Sequence, residues 1–357
     1  MENYELLKAA IVVINKNDEG VVDTLEALAG LPRVLAGEVE VILVDASEGR
    51  FDRLRARFPV VRWIEFTPIP GRSSIPHQRN QALAATDAET VVFIDASCVP
   101  GPEWFERLCG PIWNEGESIV AGSARSPAGD GLRDFAAERI TACRYLSEAP
   151  TINLAVKASV CQELGGFDER FHYGSDVDFT WRAIDAGYRI RYVREAVVTH
   201  DFGDLRAEVR RSHVYGRARA RLYMKHRGRR RNLLGSDITA VVYPLVLLAT
   251  PVFVRRPRTL AVFAIPLVRN RGMRPFLTVG EHLVYGAGVL RELLGWMVRP
   301  FSGISSRLGG SSHRGDDHVG GESGDPQTPD DEFVRRGEQE HGEDRLEVTR
   351  LRPADVD

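Results

Sequence analysis

The residues best suited to chemistry are acids and amides at the edges of apolar runs. Ser175-Asp176-Val177-Asp178 sets two carboxylates at the start of a helical pattern, Phe179, Trp181, Ala183 and Ile184, which stops at Gly187. A carboxylate at a helix N-terminus is favoured by the partial positive charge there. If it points into a crevice it can take a proton from an attacking hydroxyl. The plainer reading of the same four residues is a helix cap and a solvated acid. Upstream, Asn15-Lys16-Asn17, Asp45 and Asp95 each follow a short apolar stretch directly. Single acids in such places suit a nucleotide base, a ribose, or a metal held on a diphosphate.

The elements that must position these groups are legible from periodicity. Apolar runs at 9–14, 39–44, 60–66 and 90–94 predict buried strands. The segments 21–29, 51–58 and 74–85 between them predict helices. Strand and helix alternating in this way predict an α/β fold with a mostly parallel, doubly wound, Rossmann-like sheet flanked by helices. Such sheets bind ligands at the carboxyl ends of their strands, where Asn17, Asp45 and Asp95 all fall. The first loop carries no G-x-G-x-x-G and the chain has no G-x-x-x-x-G-K-[ST], which disfavours a dehydrogenase and a P-loop NTPase.

Of the 357 residues 43% are hydrophobic, enough for a sizeable core, and the formal net charge of -3 hides opposite blocks. Residues 206–231 are strongly basic, and the stretch after about residue 310 is acidic. Cys98, Cys109, Cys143 and Cys161 form no C-x-x-C pair, and MENYELLKAA lacks the apolar centre of a signal peptide. Reduced, mostly buried thiols in a cytosolic protein are expected, and a structural zinc site is not.

The order of motifs resembles the family 2 glycosyltransferases, which carry the nucleotide-sugar-binding GT-A fold. The resemblance runs over residues 9–225 through VVINKNDEG, VILVDASEG, HQRNQALAATDAETVVFIDASCVPGPEW, INLAVKASVCQELGGFDERF and GSDVDFTWRAIDAGYRI. It implies roles for particular positions. Asp45 meets the nucleotide base, with Asn17 nearby in the first loop. Arg79 and Asn80 lie near the donor, Arg79 reaching phosphate oxygens. Asp95 is the first acid of a D-x-D metal motif. Asn153 lines the sugar and acceptor site, Asp176 is the catalytic base, and Asp178 either braces the loop or reaches the acceptor. His200 approaches the metal or diphosphate.

Two positions depart from that pattern. Ser97 stands where the principal metal-ligating carboxylate belongs, and Ser175 replaces the first acid of a Glu-Asp pair. A hydroxyl is a poor ligand for a hard divalent cation, so a Mn or Mg cofactor, expected from Asp95 and His200, would be held weakly or replaced by basic groups such as Arg79.

The C-terminal part is expected to meet a membrane. Residues 238–254 are seventeen uncharged residues containing Pro244 and Pro251, and Arg255-Arg256-Pro257-Arg258 follow. A further apolar stretch, 260–268, is too short to span, and 279–298 reads as an amphipathic helix. An interfacial or re-entrant hairpin is favoured over a single crossing or a buried helical subdomain, since basic residues beside apolar surface suit anionic headgroups. The expected organisation is a catalytic domain at 1–205, a basic and apolar helical region at 206–300, and a disordered acidic tail at 301–357. The expected protein is an inverting glycosyltransferase at the cytoplasmic face of the cell membrane, peripheral or monotopic. Its partners would be a nucleotide-diphosphate sugar, a glycan or lipid-linked acceptor and the membrane surface. A degenerate, non-catalytic binding or scaffold relative is the alternative. A nucleotidyl- or sugar-phosphate-transferring enzyme is a third reading. Nucleic acid is not an expected partner: the arginine-rich segment matches no nucleic-acid-binding module.

Overall fold

The computed structural model describes residues 8–127, 144–201, 203, 205–256 and 275–298. Its centre is a nine-stranded sheet. The first half is built from β1 (Ala9–Asn15), β2 (Val39–Asp45), β3 (Val61–Glu65) and β4 (Thr90–Asp95), all mutually parallel in the order β3-β2-β1-β4. Both faces are covered, so the strands read as unbroken apolar runs instead of alternating ones. Ile11 and Val13 point into one hydrophobic cluster with Leu25, Leu43 and Trp104. Ala10 and Val12 point into the other with Ile42, Phe93 and Phe179.

Connecting helices α1 (Val21–Ala29), α3 (Asp52–Arg57) and α4 (Ser74–Ala84) agree with the segments read from the sequence to within a residue or two at their ends, while the short α2 (Pro32–Leu35) is an addition. The chain then passes through β5 (Cys98–Pro100) and α5 (Trp104–Asn114) into a mixed half-sheet. This half holds β6 (Ile119–Arg125), β7 (Tyr145–Leu146), β8 (Asn153–Lys157) and β9 (Ile190–His200). β8 runs antiparallel to both neighbours, β4 and β6, while β6 and β9 are parallel. Helices α6 (Ala158–Glu163) and α7 (Ser175–Asp185) lie between β8 and β9 in the chain.

After β9 comes a helical layer: α8 (Leu205–Lys225), a 3-10 segment (Arg227–Leu234), α9 (Thr239–Leu248), α10 (Thr250–Arg255) and α11 (Pro275–Val298). The apolar stretch at 238–254 is therefore two helices broken at Ala249, with Pro244 inside the first and Pro251 in the first turn of the second. No single described helix is long and apolar enough to cross a membrane. The pair Arg227–Leu234 and Thr239–Leu248 is apolar enough together but bent by 73°. Helices α8 and α11 cross closely. A Cβ on Gly216 would lie 2.0 Å from the Tyr285 carbonyl, and one on Gly288 2.0 Å from the His213 carbonyl. Buried Glu292 of α11 accepts from Arg217 and Arg221 of α8 at 3.2 and 2.7 Å. The described residues up to Trp296 group as one compact unit. Cys98, Cys109 and Cys161 are buried free thiols, all pushed up by burial, Cys161 to about 12. Cys143, the stretch 260–268 and the tail 301–357 lie outside the described residues.

Candidate active site

The sheet registers bring the strand-end residues into one row. Asn15 is opposite Asp45, and Ile14 is opposite Asp95. Asp45 is buried, and its Oδ1 accepts from Ser47 Oγ at 2.6 Å and Asn15 Nδ2 at 3.2 Å. Ser47 Oγ in turn accepts the Asn17 backbone N–H at 2.7 Å. The hydrogen bonds hold the first loop against β2, with exposed Asn17 at the rim in a left-handed conformation, φ 60°.

The tripeptide Asp-Ala-Ser occurs at both strand ends, 45–47 and 95–97, yet the two serines do different things. Ser47 backs its own aspartate. Ser97, at φ 64°, turns away from Asp95 and donates to Asp18 Oδ1 at 2.6 Å. Gly20 makes this possible, since a Cβ there would lie 2.1 Å from Ser97 Oγ. Asp95 pairs instead with buried Arg79 of α4, Nη2 to Oδ1 3.2 Å. The Arg79 guanidinium lies 5.6 Å from the Phe167 ring centroid.

Asp176 enters the same site from the first turn of α7. It is partly buried, and its Oδ1 accepts the Val177 N–H at 2.8 Å. Burial pushes its carboxyl above the ordinary range, with Asp95 adding to the rise, against the lowering effects of Arg79 and the Val177 N–H. Asp176, Arg79 and Asp95 thus form one electrostatic group. A carboxylate raised in this way, beside a cation at a strand-end crevice, has the character of a general base.

The structure changes two assignments, Asn153 and Asn80, and resolves a third, Asp178, to one of its two readings. Asn153 was expected to line the acceptor site, but it is an internal pin. Its Nδ2 donates to the Ser123 and Ala196 carbonyls at 2.9 and 2.8 Å, and its Oδ1 accepts from Trp104 Nε1 at 2.8 Å. A buried amide satisfied on both sides has nothing left for a sugar. Asp178 is wholly buried and braces the loop, the other of its two readings. Lys225 Nζ and His226 Nε2 meet its Oδ1 at 2.5 and 2.8 Å, and Arg182 Nε its Oδ2 at 2.9 Å. Asn80 turns from the donor side to the 166–169 loop. It accepts the Phe167 N–H at 2.8 Å and donates to Glu169 at 2.8 Å.

His200 ends β9 opposite Cys98, one residue from Ser97. The donor set around this turn does not fit a divalent cation well. Asp95 is taken by Arg79 and Ser97 is a donor to Asp18. Among the described residues no group of three or more His, Cys, Asp or Glu side chains is arranged to hold an ion. Sequence reasoning passed over Asp18, Ser47, Glu169, Lys225 and His226. Only Ser47 carried a local signal, the repeated Asp-Ala-Ser.

A family model described as "Glycosyltransferase like family 2" matches residues 8–224. A pre-mycofactocin glycosyltransferase of Mycobacterium tuberculosis is 32% identical over 162 residues, 42% of this chain and 34% of that protein. Glycosyltransferase AglE of Haloferax volcanii is 29% identical over 139 residues, 36% of this chain and 45% of that protein. The matched part is thus about a third of the length of the first of these relatives and under half of the second. Among solved structures, the mannosyltransferase PcManGT from Pyrobaculum calidifontis, in complex with GDP-Man and Mn2+, superposes with a TM-score of 0.60 at 19% identity. That match covers 82% of this chain and 88% of that one, and it supports the fold.

Proposed function

The chain belongs to the family 2 glycosyltransferases, and on that premise we propose that it moves a sugar from a nucleotide-diphosphate donor to a hydroxyl acceptor with inversion. The observation that carries the reading is Asp176, a partly buried carboxylate raised by burial and coupled to Arg79 and Asp95 at the strand-end crevice. The acceptor oxygen forms its bond to the anomeric carbon as the bond to the diphosphate oxygen breaks. Asp176 takes the hydroxyl proton, and the nucleoside diphosphate departs with the bonding pair. The transition state has oxocarbenium character, and the growing phosphate charge falls to Arg79. Asp45, Asn15 and Asn17 form the nucleotide end of the site. The transferred group is a hexosyl or deoxyhexosyl unit, and the acceptor is a glycan or lipid-linked glycan.

A second reading has one observation in its favour. Ser97 and Ser175 stand where acids are expected, and Ser97 is locked to Asp18. That would suit a relative that binds nucleotide without transferring sugar.

Thermal unfolding against UDP, GDP, dTDP and CDP, each with manganese or EDTA, tests the donor site first. Ligand at 100 times its Kd adds about 2.7 kcal/mol, a shift of roughly 4–5 °C for a protein of this size. We expect one nucleotide to act, and its effect to persist in EDTA. An effect seen only with manganese would return the diphosphate to a cation. No response to any nucleotide would end the donor reading. Binding without release of nucleoside diphosphate from any matched nucleotide sugar would leave the non-catalytic relative.

A further inference from the structure

Helix α9 is apolar on every side, TAVVYPLVLL, yet only half of it is covered. A helix apolar all round belongs in a protein core or in lipid. Its Ala240, Tyr243 and Pro244 face is buried, and Tyr243 and Pro244 pack on α11, where a Cβ on Gly286 would lie 2.8 Å from Tyr243 Cβ and His282 Nδ1 meets the Tyr243 hydroxyl at 3.0 Å. The opposite face is open. Leu234, Ile238, Val242, Leu245, Leu248 and Val252 are 40% to 80% exposed. From Ile238 onward they recur at three- and four-residue intervals, a stripe that continues from α9 into α10. Exposed Leu293, Leu294 and Trp296 near the end of α11 extend the apolar surface of the same layer.

Cations bracket the stripe. Arg227 and Arg231 precede it, exposed and in no ion pair among the described residues, and exposed Arg255 and Arg256 follow it. This charge pattern selects the occupant. A second copy of the chain would bring the same arginines against these arginines, whereas an anionic headgroup layer offers the opposite sign on both sides of an apolar zone. The 73° bend between the 3-10 segment and α9, and the break at Ala249, rule against a straight crossing and suit a shallow seat.

We propose that this face, the open side of α9 and α10 with its flanking arginines, seats the protein in the interface of an anionic bilayer without crossing it. The surface stands independently of the transfer reading. The consequence for the acceptor, that it is presented at the headgroup plane, rests on that reading.

The test uses the full chain and large unilamellar vesicles of phosphatidylcholine, with and without 30 mol% phosphatidylglycerol, in a sedimentation assay. Binding should need the anionic lipid and weaken with salt. Arg227→Gln with Arg231→Gln should lower the partition coefficient about 30-fold, roughly fivefold per arginine. Ile238→Ser with Leu245→Ser should lower it by about tenfold or more per site. Retained thermal unfolding cooperativity certifies each variant as folded. The proposal is overturned if the folded wild type stays in the supernatant with anionic vesicles, or if the serine pair binds as well as wild type. It is also overturned if sedimentation equilibrium shows a dimer that the serine pair dissociates. Vesicle binding in a protein that answers to no nucleotide would sink the donor site alone and leave this surface standing.

Discussion

At the scale of single residues, Asp176 carries an opposition between stability and function. Its folded pKa is raised, so the fold prefers the neutral acid. The resulting destabilisation is complete above the folded pKa and absent below the unfolded value of about 3.9. Asp176→Asn keeps an oxygen for the Val177 N–H and removes the charge. We expect transfer to fall by about 10²–10⁴-fold while the melting temperature rises at pH 7 and is unchanged near pH 3. Full activity, or a lower melting temperature at pH 7, would refute the assignment. The acid limb of kcat should correspondingly lie above the usual aspartate range. Gly20 is the second revealing residue. Gly20→Ala drives a methyl into Ser97 and should cost about 1–3 kcal/mol in denaturant titration.

At the scale of elements, α7 is held from behind by α8. Gly174, at φ 81°, packs against Leu222 and Ala218, and the Asp178 N–H bonds the Gly174 carbonyl at 2.9 Å. Burial alone would raise the Asp178 carboxyl, but hydrogen bonds from Lys225 and His226 and the charges of Arg182 and Lys225 hold it below the usual range. A depressed acid contributes stability above its unfolded pKa and loses it as pH falls through the folded value. Lys225→Met should therefore cost about 1–3 kcal/mol at pH 7, and the difference from wild type should shrink as the pH drops below about 4. Equal loss at both pH values would show that packing, not charge, is at stake. These contacts also explain what the sequence could reveal. Strands β1 to β4 and helices α1, α3 and α4 are set by neighbours in the chain, through apolar runs and turn residues, and they are readable; the one-turn α2 carries too few residues to show a period. Asn153 and Asp178 are set by Trp104 and Lys225, 49 and 47 residues away. No local pattern separates such an amide or acid from one that faces a ligand. The break at Ala249 has a local signal in Pro251, which opens α10, whereas Pro244 reads as a helix breaker and yet sits inside α9.

At the scale of the whole molecule, the site draws its parts from both halves of the chain: Asp45, Arg79 and Asp95 from the parallel half, Asp176 from beyond β8. The sheet order β3-β2-β1-β4-β8-β6-β9-β5 explains how they meet, since β8 closes the side of β4 that the parallel half leaves bare. That order has a consequence for synthesis. When Asp95 has left the ribosome, β4 presents the open edge TVVFI, a β-branched and aromatic stretch of the kind that recruits foreign strands. Its partner, Asn153–Lys157, is some 60 residues further on, about 3–12 s at ordinary elongation rates. Chains ended before residue 153 should collect in the insoluble fraction, while chains carried past Lys225 should not. The newborn protein thus depends on whatever shields that edge in the interval, and slow codons between 96 and 152 should lower its yield more than slow codons after 200.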